Sequence, residues 1–453
     1  MKQLSKGQHI LAVLGIVLSV SDTGLMFSTI NTILAVIQKD LHATTTQLQW
    51  IINVYGIFIA SSLVVMGRLA DKYGRKKVFL IGIILLVIAM MGSGLSPTAN
   101  WLIVFEIFFG LAGAIILPVS QVLIINLYTS EKRSKAMGIW TSSAGIALGA
   151  GPIIGGVIAH LLGWRWIFIL IALITAFSFI LVSYCVPDME REHSDPSLDI
   201  QGASSLTVCI ASFVIATVQH SLWPYVIIIG FYTLSVAALI ALLMFERQAS
   251  NPIIRAELFT NRNFVCASIT NALLLFFGWS GFFLIPYCVQ TIMNYSVFQA
   301  GLVMLLVTIP ISLLSPISGR LYSQVGPRQL IALGFIFLLI SVAFQLQFSH
   351  QASILVVLIG TLFFGLGWGV AWGPSASAAL ASLPSGQAGV AAGSFTTLQE
   401  IGGTVGLAIT GSVARSYSHF LTGYHQAMWV LGLFSLIGLI VALAIKPVSF
   451  KKL

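Results

Sequence analysis

Fourteen apolar runs, each close to or above the roughly 20 residues a helix needs to cross a bilayer core, follow one another along this chain. They lie at 9–37, 48–66, 78–95, 101–127, 137–162, 166–186, 202–219, 223–245, 264–290, 299–318, 329–347, 353–374, 388–412 and 425–445. Such patterning leaves few folds open. In lipid every backbone N–H and C=O must be satisfied within the protein, and an isolated segment does this only as a helix. The chain is 58% hydrophobic and 8% charged. A soluble domain carries about 25% charged residues, so too few polar groups exist here to cover a soluble surface. The expected class is an all-α membrane protein. The first run is too long for a signal peptide and lacks a small-residue cleavage pattern, so it reads as a retained first helix.

Charge placement gives an orientation. With the N-terminus in the cytoplasm, 19 of the 22 basic residues fall in inside segments. These are Lys2 and Lys6; Arg68, Lys72, Arg75, Lys76 and Lys77; Lys132, Arg133 and Lys135; Arg191; Arg247, Arg255 and Arg262; Arg320 and Arg328; Lys446, Lys451 and Lys452. Only Lys39, Arg165 and Arg415 fall outside. The net charge of +9 is therefore a positive-inside signature, with attraction to anionic lipid secondary, and it does not imply nucleic acid. Both termini are expected in the cytoplasm and the chain multi-pass in the cytoplasmic membrane. Cys185, Cys209, Cys266 and Cys288 lie in apolar stretches without metal spacing and read as small core residues. The histidines at 42, 160, 220, 350, 419 and 425 are scattered and read as outer surface residues. No phosphate-binding loop, no metal constellation and no Ser/His/Asp arrangement occurs, so neither an enzyme nor a cofactor is expected.

The loop at 67–77 carries five positive charges. Its spacing, Gly67-Arg68-Leu69, Asp71, Gly74-Arg75, resembles the loop between helices 2 and 3 of the major facilitator superfamily. A partial echo, Gly319-Arg320-Leu321 and Gly326-Pro327-Arg328, recurs 252 residues later, with Ser323 and Gln324 in place of Asp71 and Lys72. The echo suggests internal duplication. If runs 7 and 8 are an insertion, two six-helix bundles (1–190 and 251–453) flank a transmembrane hairpin (191–250). Further stretches are similar to the fourteen-helix drug:proton antiporters of that superfamily. Gly149-Ala150-Gly151-Pro152-Ile153-Ile154-Gly155-Gly156 resembles the helix-5 motif of exporters, and Trp164-Arg165-Trp166-Ile167-Phe168 the start of their helix 6. Asn251-Pro252-Ile253-Ile254 through Phe264 resembles the link into helix 9 of that branch. Pro286-Tyr287, Gln290, Tyr295-Ser296 and Gln299-Ala300-Gly301-Leu302 resemble it as well.

Two departures stand out. Glu106 occupies the place of the family's helix-4 Arg, and Phe109 that of its Gln, so the proton-transfer role given to that Arg does not carry over. In helix 13, Gln399-Glu400 stands before Gly402-Gly403 where many relatives have Arg-Gln, which resembles the tetracycline-efflux members. Of the 13 acidic residues, Asp22, Glu106 and Glu400 are flanked by long apolar sequence. A charge at a membrane helix centre costs about 2.5–3.5 kcal/mol on insertion scales. Desolvation disfavours the charged form of a carboxyl, so such groups suit reversible proton binding. They are the proton-coupling candidates.

The resemblance implies a conformational latch at Gly67, Asp71, Gly74 and Arg75. It also implies a leak-blocking role for Gly151, Pro152, Gly155 and Gly156, with Pro152 expected to bend or loosen its helix. Trp140, Tyr287 and Trp372 are the preferred substrate contacts among the aromatic and polar residues of the runs. The reading is a monomeric, proton-gradient-driven exporter of lipophilic, cationic drugs or toxic compounds, working by alternating access. A dedicated exporter of one metabolite, such as a siderophore or antibiotic, and a non-transporting membrane receptor are the alternatives.

Overall fold

The computed structural model describes residues 5–128, 133–188, 200–220, 222–248, 256–381 and 388–446. The link residues 251–254 and the basic positions Lys2, Lys132, Arg191, Arg255, Lys451 and Lys452 lie outside the described residues. Each apolar run forms a helix: α1 (Lys6–Leu41), α2 (Thr45–Tyr73), α3 (Arg75–Gly94), α4 (Ala99–Asn126), α5 (Arg133–Leu161), α6 (Arg165–Cys185), α7 (Ile200–Gln219), α8 (Tyr225–Gln248), α9 (Arg262–Thr291), α10 (Val297–Val325), α11 (Pro327–Gln345), α12 (Ile354–Ala381), α13 (Ala388–Arg415) and α14 (Phe420–Leu443). A 3-10 turn, Ala256–Thr260, precedes α9.

Among the described residues, twelve helices are long and apolar enough to cross a membrane, and α2, bent by 50° between Leu63 and Val65, makes a thirteenth. α13 is not among them, because Gln399, Glu400 and its Gly, Ser and Thr residues dilute its apolar character. The fourteen runs thus all form helices, while length and composition support twelve to thirteen crossings. Exposed apolar residues about one turn apart, such as Ile81, Ile84 and Ile88 on α3 and Leu173, Phe177 and Ile180 on α6, suit contact with lipid tails.

Local chemistry sets the helix ends. Ser5, Thr44 and Ser296 each begin a helix with a reciprocal capping box to Gln8, Gln47 and Gln299. The Ser296…Gln299 spacing singled out in the sequence therefore has a local structural reason. Gly74 (φ 102°) joins α2 to α3, and Gly326 (φ 91°) joins α10 to α11. Both occupy backbone space that L side chains rarely adopt, which explains why glycine marks the same place in both loops.

The helices fall into two compact units, dividing inside α7 between Thr207 and Val208. In the first, α1 packs on α5 and α6, α2 on α4, and α3 on α4 and α6. In the second, α9 packs on α13 and α14, α10 on α12, and α11 on α12 and α14. The order of pairings is the same with α9 in the place of α1. α7 and α8 are tied by Ser235 Oγ donating to Cys209 O at 2.9 Å and by Thr217 and Tyr232 hydroxyls 3.3 Å apart.

Small residues allow the closest pairings. A Cβ built on Gly151 of α5 would collide with Ser28 Oγ and lie 2.8 Å from Leu25 O of α1. Thr29 Oγ1 donates to Gly151 O at 2.9 Å across the same contact. Pro152 does not break α5, which runs continuously from Arg133 to Leu161. Gly151 and Gly155 bring the helix into close contact with α1.

Candidate functional site

Asp22 lies mid-helix on α1 and is 3% exposed. Its Oδ2 sits 2.7 Å from Thr175 Oγ1 on α6, and Thr175 Oγ1 is also 2.8 Å from Ile171 O. One turn along the same seam, the Ser19 and Ser178 hydroxyls are 2.6 Å apart, and Ser178 donates to Gly15 O at 2.6 Å. A hydroxyl has one proton and two lone pairs. Thr175 can therefore donate to an ionised Asp22, or donate to Ile171 O and accept from a protonated Asp22. The seam accommodates either state without moving a backbone atom.

Glu400 on α13 is 6% exposed, and Gln399 Nε2 donates to its Oε1 at 3.3 Å. α9 and α13 run parallel, with Thr410 Oγ1 donating to Ser280 Oγ at 2.8 Å and Gly402 pressed on the backbone of Ala272. That register sets Asn271 within one turn of Glu400. Asn271 Nδ2 donates to Ser375 Oγ on α12 at 2.7 Å, while its Oδ1 is buried without a partner. Among the described residues neither Asp22 nor Glu400 has a Lys or Arg within ion-pair distance.

Glu106 sits two turns inside α4 and is 1% exposed, not near the helix end where a carboxylate would be inexpensive. Its Oε1 has no hydrogen-bond partner. Asp22 faces α6 and Glu106 lies on α4 in the first unit, and Glu400 belongs to the second.

The basic loop is closed by Arg75 Nε donating to Asp71 Oδ1 at 2.9 Å, a pair whose side chains are 24% and 38% exposed. Gly67 has open space around it and Gly74 forms the turn. Gly151 and Gly155 face α1 within the first unit, and Pro152 and Gly156 are buried.

The aromatic candidates are packed rather than free. Trp140 Nε1 donates to Ser120 Oγ on α4 at 2.9 Å. Tyr287 lies between Phe283 (ring centroids 6.0 Å) and Phe420 (5.0 Å). Trp372 is half-buried beside Trp368 at 6.1 Å. An apolar groove of about 600 Å³ along α10 and α12, lined by Tyr295, Gln299, Leu302, Leu306, Leu358 and Leu362, holds none of the acids. Its apolar walls suit a lipid tail better than a charged solute.

Other side chains depart from the sequence expectations. Arg415 is half-buried and donates to Val218 O on α7, so it is not simply a surface residue. His425 is half-buried against Phe348 O at 2.9 Å. Arg165 pairs with Asp40, stacks over Trp164 at 4.4 Å and donates to Ser96 O, tying the ends of α1, α3 and α6 together. Sequence patterning does not single out Thr175. A lone Thr in an apolar run carries no periodic signal, and only its partner across the fold, Asp22, marks it.

Long apolar helices, two units with a repeated pairing order, and isolated buried acids define a multi-span membrane transporter. The chain belongs to the Major Facilitator Superfamily, whose profile matches residues 16–407. It is 27% identical over 445 residues to the quinolone resistance protein NorB of Staphylococcus aureus strain bovine RF122 / ET3-1, covering 96% of this chain and 95% of the relative. The same holds for NorB of strain COL. Its fold is similar to that of a bacterial homolog of the human lysosomal transporter Spinster in an inward-facing, unoccupied conformation (TM-score 0.73, 14% identity, 97% of both chains). It is also similar to the human organic anion transporter MFSD10 (TETRAN) (TM-score 0.65, 15% identity, 97% of this chain and 100% of that one).

Proposed function

We propose that the chain is a proton-coupled antiporter that exports lipophilic, cationic drugs or toxic compounds across the cytoplasmic membrane by alternating access. In this reading two six-helix bundles, 1–190 and 251–453, flank an inserted hairpin, all fourteen helices cross the membrane, and both termini lie in the cytoplasm. The observation that carries it is the Asp22–Thr175–Ile171 arrangement, in which a buried carboxyl keeps hydrogen-bond partners whether or not it holds a proton. The name of the NorB relatives, quinolone resistance, supports drugs as substrates. The absence of a nearby Lys or Arg at Asp22 or Glu400 among the described residues leaves each acid free to exchange a proton for a cation. One charge crossing 100 mV gains about 2.3 kcal/mol, enough for roughly a fifty-fold gradient.

The hydroxyl of Thr175 gives a direct test. A hydrogen bond to a charged group contributes about 1.5–3 kcal/mol. Thr175→Val is expected to shift the pH profile of transport by about one unit or more, and Thr175→Ser to restore it. An unchanged profile in Thr175→Val contradicts the arrangement's role.

The loop 67–77 is the proposed latch, with Asp71 and Arg75 as its charged pair. A half-exposed pair contributes at most about 1 kcal/mol to stability. Asp71→Asn is therefore expected to leave thermal stability within that amount while reducing transport at least tenfold. Equal transport by the variant and the wild type would remove the latch role.

A further inference from the structure

One face of α12 changes character along its length. It carries Gly365, Gly369 and Gly373, about one turn apart, and Ile354, Leu358 and Leu362 in the turns before them. α10 runs parallel to that face. A Cβ on Gly365 would lie 2.5 Å from Leu306 O, one on Gly369 2.7 Å from Pro310 O, and one on Gly373 3.1 Å from Ser315 O. Ser318 Oγ of α10 donates to Gly369 O at 3.2 Å across the same contact. Small residues let membrane helices meet backbone to backbone in this way. Toward the start of both helices the isoleucine and leucine side chains hold them apart.

The separation leaves the groove of about 600 Å³, a volume in the range of small-molecule sites. It ends at Leu306, where Gly365 brings the two backbones together. Leu302, Val303, Leu358, Ile359 and Leu362 form its walls. Its polar lining residues, Tyr295 and Gln299, stand at the mouth, at the start of α10. From Ile354 to Leu362 the groove descends eight residues, about 12 Å at 1.5 Å per residue. Half of a hydrocarbon core is about 15 Å, so the groove has close to the depth of one lipid leaflet.

The surroundings select the occupant. The rim is continuous with the lipid-facing surface, where Phe298, Leu302, Ile309, Leu313 and Ile317 of α10 and Leu355 of α12 are exposed. A polar mouth followed by apolar depth is the order of a lipid leaflet, and tyrosine is a residue of its interface. No carboxylate lines the groove, so nothing in it pairs with a cationic solute. Its mean cross-section, about 600 Å³ over about 12 Å, is roughly 50 Å². A helix 10 Å across presents roughly 80 Å², so a partner's membrane helix does not enter.

We infer that the α10–α12 groove binds one acyl chain of a phospholipid from the leaflet that meets the starts of both helices. Tyr295 and Gln299 lie level with the ester end of the chain, and Leu306 and Leu362 with its methyl end. The chain supplies between Leu302 and Leu358 the contact that backbone supplies between Leu306 and Gly365. The site holds none of the acids proposed to couple protons, so it is separate from the export reading.

The test places the full chain in nanodiscs with a phosphatidylcholine that carries a photoreactive diazirine at the methyl end or beside the ester of one chain. Adducts are mapped by mass spectrometry. Methyl-end adducts are expected on Leu306 and Leu362, and ester-end adducts on Tyr295 and Gln299. Their yield is expected to be about ten times that on Leu433 and Ile440, exposed on α14, the ratio given by tenfold tighter binding than to open surface. Leu358→Trp, whose larger side chain takes up the groove, is expected to lower the yield to that of α14, and Leu433→Trp to leave it unchanged. Leu362→Trp is a second filling variant, and the wild-type adduct map decides if neither variant folds. An even yield over α10, α12 and α14, a reversed order of depth, or an unchanged yield in a folded filling variant overturns the inference. So does loss of the adducts on adding tetraphenylphosphonium, which assigns the groove to an exported cation, or their absence only where two chains share a nanodisc, which assigns it to a second copy. Transport is not read, so failure here is distinguishable from failure of the antiport reading.

Discussion

Asp22→Asn is expected to abolish proton-driven transport in proteoliposomes, down to the level of protein-free vesicles, without preventing insertion. The Thr175 contact is the reason. Asparagine keeps the size of Asp22 and an acceptor oxygen 2.7 Å from Thr175 Oγ1, so the α1–α6 seam with Ser19 and Ser178 stays intact. What it loses is the ability to bind and release a proton. A purely structural hydrogen bond would survive the change and transport would continue. Glu400→Gln separates the same alternatives in the second unit, where Gln399 is the neighbour. If both single variants transport like the wild type, neither acid couples the proton.

The second large effect is expected from Gly151→Leu. A Cβ at this position collides with Ser28 Oγ and comes within 2.8 Å of Leu25 O, a backbone atom that cannot turn aside. Overpacking ordinarily costs about 1–3 kcal/mol, and a whole leucine side chain against α1 backbone is at the upper end or beyond. Thermal melts of the detergent-purified protein should show a large drop, or no folded protein at all. Gly67→Ala is the contrast, because nothing lies within 4 Å of a Cβ there. Its stability is expected to match the wild type within about 0.5 kcal/mol, so any loss of transport in it belongs to the latch.

Much of the fold is legible in the sequence because lipid imposes a single rule, long apolar segments as helices, and all fourteen runs obey it. The two loop glycines, Gly74 and Gly326, are readable for a local reason, a positive φ. Local patterning fails where tertiary contact decides. Glu106 stands in apolar sequence either way, and only the packing of α2 against α4 shows that it is buried. Thr175 and Asp40 gain their meaning from partners 153 and 125 positions away in Asp22 and Arg165, separations at which a single sequence carries no signal. The substrate contacts are least legible. Tyr287 and Trp372 read the same whether they pack, as they do against Phe420 and Trp368, or face a solute.

Proton exchange for substrate is the central claim, and one measurement addresses it directly. Proteoliposomes containing the full chain are loaded with a pH-sensitive dye and given a lipophilic cation under an imposed pH gradient. Proton movement opposite to the cation is expected on addition of substrate, abolished by a protonophore and absent in Asp22→Asn. Cation movement with no accompanying proton flux, or undiminished after the gradient is collapsed, would contradict the account.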